Sequence, residues 1–194
     1  MGNKILQALI RGFLHLVFRY RVEGLENIPA EGGTIVALNH RSYWDVVFAG
    51  SIICRPLRYM AKAALFKNPL FGWLITTLGA FPVQRGKGDL GAIKTALEIL
   101  KGGNVMLIFP EGRRVLDGSH PGAKPGVALI ATAAKVPVVP ICISGKYKLW
   151  HKITFKIGEP IYLYEGLEKR PDGKKLQEMS DKIMDSVYAM EGII

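Results

Sequence analysis

Three short apolar runs, each followed at once by a polar loop, most constrain the fold of this 194-residue chain. The runs begin at Thr34, Gly79 and Asn104, and segments with helical periodicity lie between them. Their length and β-branched content are typical of buried strands. Strands that alternate with helices predict a single α/β domain whose largely parallel or mixed sheet is flanked by helices.

Parallel neighbouring strands would bring the three polar loops to one edge of the sheet, where open α/β sheets place reactive groups. The first loop runs from Asn39-His40 to Asp45, the second ends at Arg85, and the third contains Glu111 and Arg114. This edge would combine a histidine, two carboxylates and at least two arginines. Guanidinium groups bind phosphate in a bidentate way, so the arginines suggest a phosphate-bearing ligand.

His40 and Asp45 could not touch easily within one helix, because residues five apart differ by about 140° around its axis. Contact is possible if His40 lies in the turn and Asp45 in the first turn of the following helix. Asp45 would then accept from one ring nitrogen, while the other nitrogen could take a proton from a hydroxyl. The alternative is that His40 caps the helix and Asp45 is a first-turn acid that the helix dipole favours.

Charge and hydropathy together favour a membrane surface as a partner. The chain has 26 Lys and Arg against 16 Asp and Glu, a net charge of +10, and 49% of its residues are hydrophobic. Basic chains bind phospholipid headgroups, phosphorylated metabolites or nucleic acid, and the apolar content favours the first. We expect no nucleic-acid partner, because the sequence has no known nucleic-acid-binding motif.

Nothing in the sequence indicates a metal or a bound cofactor. The four histidines are scattered, and the two cysteines have no CxxC spacing. We therefore expect neither a metal site nor a cofactor.

The N-terminal segment has the pattern of an amphipathic helix. Polar residues recur every three or four positions along a mostly apolar segment, at Lys4, Gln7, Arg11, His15 and Arg19. A basic stripe beside a wide apolar face is typical of a helix in a membrane interface, although a helix packed on the core is the alternative. We expect residues 1–19 to be a membrane-interface helix and residues 20–194 to be the α/β domain.

A second apolar segment, Phe66 to Leu78, is shorter than the ~20 apolar residues of a membrane-spanning helix and contains Pro69 and Gly72. It could be a core helix, line a groove for an acyl chain, or dip into the bilayer.

Four blocks of the sequence, in order, resemble those of the glycerolipid acyltransferases, above all the lysophosphatidic acid (1-acylglycerol-3-phosphate) acyltransferases. Residues 39–45 match the family's NHxxxxD block, 79–85 its second block, 109–114 its FPEGTR block, and 136–140 its Val-Pro-rich strand. The resemblance covers roughly residues 20 to 165. One position departs from the pattern, since the family's Thr is Arg113 here.

The resemblance implies a glycerol-3-phosphate acyltransferase-like fold and an acyl-transfer reaction. A thioester donor, acyl-CoA or acyl-carrier protein, would acylate the free hydroxyl of lysophosphatidic acid and give phosphatidic acid for phospholipid biosynthesis. His40 would be the general base and Asp45 would hold its tautomer. The phosphate site would comprise Arg85, Glu111, Gly112, Arg114 and Lys62. The donor or acyl site would comprise Val136, Pro137, Phe66 and Trp73.

Alternatives remain at this point. The acceptor could be glycerol-3-phosphate or another lysophospholipid, because the same four blocks serve those reactions. The chain could also be a non-catalytic basic protein that binds a membrane surface. The resemblance and the N-terminal helix together imply a peripheral, monotopic protein on the cytoplasmic face of the cell membrane.

Overall fold

The strands form a single, largely parallel sheet. The computed structural model describes residues 4–84 and 89–191, and within them the sheet has seven strands. In chain order these are β1 (Arg19–Glu23), β2 (Thr34–Leu38), β3 (Leu57–Lys62), β4 (Ala80–Val83), β5 (Val105–Ile108), β6 (Val138–Gly145) and β7 (Lys152–Ile157). Their spatial order is β1-β7-β6-β2-β5-β3-β4, and only the β6–β7 pair is antiparallel among these strands. The predicted α/β fold is therefore confirmed.

Helices cover both faces of the sheet. They are α1 (Lys4–Val17), α2 (Trp44–Ile52), α3 (Pro69–Thr77), α4 (Leu90–Lys101), α5 (Gly126–Ala134) and α6 (Gly173–Ala189). Alternate residues of a strand point to opposite faces. Val36 and Leu38 accordingly pack in the core that α1 and α2 cover, whereas Ile35 and Ala37 pack in the core that α4, α5 and α6 cover. The third helix, α3, packs on β3 and β4 on the α1–α2 face.

The central strand β2 positions the candidate site. All five of its residues are buried, because helices cover both sides of it. Neighbouring β5 and β6 run parallel to β2, and β3 and β4 continue in the same direction beyond β5. These five strands therefore end at one edge of the sheet, here called the carboxyl edge, and begin at the opposite amino edge. The prediction that the three polar loops share one edge is confirmed for their described parts.

Helix α1 combines both interpretations of the N-terminal pattern. Leu14 and the adjoining Phe18 are buried in the core, whereas another row of side chains is exposed on the helix, comprising Leu9, Phe13 and Leu16. One member of the expected basic stripe, Arg11, faces the protein and not the solvent. Arg11 points to α2, where its guanidinium donates to the Ser51 carbonyl at 2.6 and 3.2 Å. The first helix thus packs on the domain and still presents an apolar row.

The apolar segment Phe66 to Leu78 is only partly a core helix. Gly72 and Ile75 of α3 are buried, but most of the large apolar side chains around them are exposed, namely Leu70, Phe71, Trp73, Leu74 and Leu78. The interpretation of this segment as a core helix is therefore wrong for most of its surface. No helix within residues 4–84 and 89–191 has the length and hydropathy needed to span a membrane.

Gly79, directly before β4, provides a test of the fold. Its φ is +100°, and a Cβ there would lie 2.2 Å from the Leu57 carbonyl oxygen of β3. We expect Gly79→Ala to lower the free energy of unfolding by about 1–3 kcal/mol, because alanine is strained at this φ and clashes with backbone. Urea unfolding measures this. Gly12→Ala in α1 is the control, with open space around the new methyl group and an expected gain of about 0.5–1 kcal/mol. Equal effects of the two substitutions on the free energy of unfolding would contradict the strain and the clash expected at Gly79.

Candidate active site

His40 and Asp45 are in direct contact at the carboxyl edge. The chain leaves β2 through Asn39 and His40, turns, and enters α2 at Trp44, which places Asp45 in the first helical turn. The Nδ1 atom of His40 lies 2.9 Å from Oδ2 of Asp45, whose side chain is fully buried. The contact that the sequence predicted is therefore present, and its catalytic role stays a prediction.

Backbone and side-chain donors fix the Asp45 carboxylate. Its Oδ2 also accepts the backbone N–H groups of Arg41 and Ser42, each at 2.8 Å, and its Oδ1 accepts the hydroxyl of Tyr147. A carboxylate only accepts hydrogen bonds, so in a neutral ring the proton lies on Nδ1 of His40. The lone pair of Nε2 is then available to accept a proton.

The loop after β5 holds the backbone and the ring of His40. The ring stacks on Phe109, with 3.8 Å between centroids and 18° between planes. The His40 N–H donates to Oε2 of Glu111 at 2.7 Å, and its carbonyl accepts the N–H of Val115 at 2.8 Å. The first and third sequence blocks thus form one unit that orients the imidazole.

Glu111 supports His40 from a buried position. Its Oε1 accepts the Tyr188 hydroxyl at 2.9 Å, so protein donors engage both carboxylate oxygens. Burial raises the pKa of Glu111, and the hydrogen bonds from His40 and Tyr188 offset part of that rise. The sequence-based assignment of Glu111 to the phosphate site is corrected, because its bonds go to the loop that carries the imidazole.

Two of the three cationic residues of the predicted phosphate site, Arg114 and Lys62, lie at the same edge. Arg114 places its guanidinium 3.9 Å above the ring of Tyr43, and Lys62 ends β3 with an exposed side chain. Gly112 has a φ of +69°, and a Cβ there would lie 2.5 Å from the side chain of Lys124. Glycine therefore shapes this turn. Arg85, the remaining member, lies outside the described residues.

Two of the predicted donor-site residues, Val136 and Pro137, lie at the edge of the sheet opposite to His40. Val136 and Pro137 precede β6, and Val138 is level with Ile35 at the start of β2. They lie at the amino edge, so assigning them to the donor site is wrong. Because β6 runs parallel to β2, the start of β6 lies at the edge opposite to the end of β2. The sequence alone did not reveal the direction of β6.

Phe66 and Trp73 belong to the layer of α3. Phe66 packs on the small cluster formed by Ala61, Ile75 and Ala80, whereas 66% of the surface of Trp73 is exposed. A role for these two residues in binding an acyl chain stays a prediction.

Sequence reasoning missed two tyrosines that donate to the site carboxylates. Tyr147 follows β6 and contacts Asp45, and Tyr188 lies near the end of α6 and contacts Glu111. Burial and the adjacent carboxylate raise the pKa of each phenol, so both remain protonated donors at neutral pH. The periodicity of α6 indicated only a packing face. The sequence did contain a signal for Tyr147, because this residue lies in the polar loop that follows a fourth strand.

Asn39 fixes the end of β2 against β6. Its side-chain amide donates to the Ile143 carbonyl at 2.9 Å, and its amide oxygen accepts the Ile143 N–H at 2.7 Å. These two side-chain hydrogen bonds continue the pairing of β2 with β6 by one residue beyond the end of β2. The next residue, His40, then leaves the sheet.

Over residues 4–84 and 89–191, no group of three or more His, Cys, Asp or Glu side chains is placed to hold a metal ion. The oriented imidazole of His40 can transfer a proton, and the cations at the carboxyl edge can contact an anionic group.

Comparison with known proteins gives the class to which this fold and site belong. The Acyltransferase family model matches residues 19–144. The 1-acyl-sn-glycerol-3-phosphate acyltransferase of Bacillus subtilis is 32% identical over 177 residues, which cover 88% of this chain and 87% of the relative. The lyso-ornithine lipid O-acyltransferase of Pseudomonas aeruginosa is 35% identical over 130 residues, 66% of this chain and 48% of the relative.

A solved structure agrees with these matches. The 1-acyl-sn-glycerophosphate acyltransferase PlsC from Thermotoga maritima superposes with a TM-score of 0.72 and 27% sequence identity, over 97% of this chain and 82% of that one. The chain belongs to the acyltransferase family and, within it, to the group of the 1-acyl-sn-glycerol-3-phosphate acyltransferases. The resemblance seen in the four sequence blocks is confirmed.

The burial of Glu111 predicts a pH dependence of stability. Because its pKa is raised in the folded protein, the folded state holds this proton more tightly than the unfolded chain does. The resulting stabilisation is fully present below the ordinary glutamate pKa of about 4.3 and is lost as the pH rises through the raised value. Glu111→Gln removes the titration.

We therefore expect wild type to lose stability relative to Glu111→Gln as the pH rises from about 4.3, the ordinary glutamate pKa, through the raised pKa of Glu111. Urea unfolding of both proteins across this range measures the difference. A difference that stays constant with pH, or that favours wild type increasingly, would contradict the burial of a carboxyl group with a raised pKa.

Proposed function

We propose that this chain transfers a fatty acyl group from a thioester donor to the free hydroxyl of lysophosphatidic acid, giving phosphatidic acid. The observation that carries the proposal is the 2.9 Å contact between Nδ1 of His40 and the buried carboxylate of Asp45. A binding surface has no need of an imidazole oriented in this way. The named activities of the bacterial relatives support the choice of acceptor.

His40 acts as the general base in this reaction. Its Nε2 takes the proton of the acceptor hydroxyl while the oxygen attacks the thioester carbonyl, and the ring becomes an imidazolium. Asp45 stabilises that charge through Nδ1–H. The tetrahedral intermediate collapses, the C–S bond breaks, and the thiolate leaves with the proton that His40 returns. An ester and a free thiol result, and no enzyme nucleophile is needed.

The acceptor phosphate binds to the cations of the carboxyl edge. Arg114 and Lys62 lie at the ends of the relevant strands or in the loops that follow, and Arg85 follows β4 in sequence. A guanidinium matches the geometry of a phosphate with two parallel hydrogen bonds, which makes Arg114 the main contact. The stack on Tyr43 limits the freedom of this side chain before substrate binds.

The donor is acyl-CoA or acyl-carrier protein, and both present the same thioester to His40. For the acceptor, a specific alternative is another lysophospholipid or lyso-lipid, because a relative 35% identical to this chain is named for lyso-ornithine lipid. Glycerol-3-phosphate is the further in-class alternative. The reaction at His40 is the same for each acceptor.

The enzyme works as a peripheral protein on the cytoplasmic face of the cell membrane. Helices α1 and α3 lie on the same face of the sheet, and both expose large apolar side chains there. Those side chains insert among lipids, while the positive charge of the chain draws it to anionic headgroups. This arrangement gives the site access to a lipid acceptor.

The first test is acyl transfer by His40→Ala and by wild type. Labelled palmitoyl-CoA and palmitoyl-acyl-carrier protein are each offered with lysophosphatidic acid, glycerol-3-phosphate and a panel of lyso-lipids. We expect His40→Ala to lower the rate by about 10²–10⁴-fold, because the general base is lost. Glu98→Ala, which changes an exposed side chain of α4 outside the site, is the control and should match wild type. Equal rates of His40→Ala and wild type would exclude the proposed base.

The second test concerns the apolar row of α1. Deleting residues 1–19 would also remove the buried Leu14 and Phe18, so substitution of exposed side chains is the cleaner change. We expect the triple variant Leu9→Ser, Phe13→Ser and Leu16→Ser to bind anionic vesicles about ten-fold or more weakly in a sedimentation assay. Undiminished binding would place the anchor elsewhere, first of all on α3.

A further inference from the structure

The loop between β6 and β7, residues 146–151, carries two large apolar side chains into solvent. Leu149 is 63% exposed and Trp150 is 59% exposed. The loop lies outside the four family blocks. Tryptophan is enriched at membrane–water interfaces, where the ring lies among headgroups and acyl carbons.

The backbone holds Trp150 outward. Its φ is +63°, in the left-handed region that bulky residues rarely adopt. Hydrogen bonds keep the turn closed, since the Trp150 N–H donates to the Val17 carbonyl and the His151 N–H donates to the Lys148 carbonyl, each at 3.1 Å. The bond to Val17 joins the loop to the end of α1, next to the exposed Leu16.

The charges around the tip are complementary to an anionic surface. Three exposed lysines flank the two apolar residues, namely Lys146, Lys148 and Lys152, and residues 145–152 include no Asp or Glu. An open groove of about 480 Å³ adjoins the tip and is lined in part by Arg19, Arg21, Trp150 and Lys152. Each Lys or Arg near an anionic membrane adds to the attraction of the surface.

The same loop reaches the candidate active site. Tyr147, two residues before Leu149, donates its hydroxyl to Asp45. The loop also leaves β6 at the carboxyl edge, where His40 follows β2. A contact between the tip and a membrane would therefore set the imidazole close to the lipid surface.

We propose that the β6–β7 loop is a second lipid-binding element, which inserts Leu149 and Trp150 into an anionic phospholipid surface and anchors the active-site edge to it. This inference deepens the proposed function, because it names the surface on which the same site works. The exposed apolar row of α1 and this loop then form one continuous contact with the membrane, and the loop also reaches Asp45 through Tyr147. The three lysines and the groove bind the headgroup phosphates around the inserted tip.

The test compares two double variants in vesicle sedimentation. Leu149→Ser/Trp150→Ser removes the tip, and Leu25→Ser/Tyr162→Ser removes two exposed apolar side chains at the amino edge as a matched control. With vesicles of phosphatidylcholine and phosphatidylglycerol, we expect the tip variant to bind about ten-fold or more weakly and the control to bind like wild type. Far-ultraviolet circular dichroism checks that each variant is folded. Equal binding of the tip variant and wild type would overturn the proposal.

A second measurement reports on insertion directly. In a Trp44→Phe/Trp73→Phe variant, Trp150 is the remaining tryptophan of the chain. Vesicles that contain lipids brominated on the acyl chain should quench its fluorescence, and should do so less at high salt, because screening weakens the attraction. If vesicles bind the protein without quenching Trp150, the proposal is overturned. It is also overturned if the tip is found to mediate self-association or the binding of acyl-carrier protein.

Both measurements are independent of acyl transfer. Neither Leu149 nor Trp150 contacts His40 or Asp45, so the tip variant should keep wild-type activity toward a short-chain, water-soluble acceptor without vesicles. If no acceptor is acylated by wild type, the proposed function fails while the vesicle assays still decide whether the loop binds lipid.

Discussion

The structure depends on one buried carboxylate and the donors that surround it. Asp45 is fully buried in the first turn of α2. Its carboxylate accepts hydrogen bonds from Nδ1–H of His40, from two backbone N–H groups and from a tyrosine hydroxyl. A buried charge without such partners would be costly, and here both carboxylate oxygens accept hydrogen bonds. The turn from β2 to α2 is thereby set, and with it the direction of the imidazole.

The donors come from distant parts of the chain, so the site is a product of the whole sheet. Tyr147 lies 102 positions from Asp45, and Tyr188 lies 77 positions from Glu111. The loop after β5 supplies Glu111 and Phe109, which hold the backbone and the ring of His40. Tyr147, Phe109 and Glu111 reach the site because β2, β5 and β6 are parallel neighbours that end at one edge. Helix α6 contributes from the face opposite to α2.

The sequence supported a correct prediction of the fold and of the first contact. The apolar runs that begin at Thr34 and Asn104 contain the buried strands β2 and β5, as expected. The prediction failed where it depended on the direction of a strand or on the partners of a buried side chain. Val136 precedes a strand that runs parallel to β2, so it lies at the amino edge, and Glu111 bonds to the imidazole loop. Neither fact has a signature in local periodicity or spacing.

The sequence by itself determined the class of fold, the family, and the pair His40–Asp45, because strand patterns and short motifs are local properties. The tertiary structure decided which side chains complete the site and which apolar residues remain exposed. Tyr147 and Tyr188 reach the carboxylates, and α1 divides its apolar residues between the core and solvent, only after the sheet has been assembled. Contacts between residues far apart in sequence depend on strand order, and strand order is set by how the helices and strands pack together.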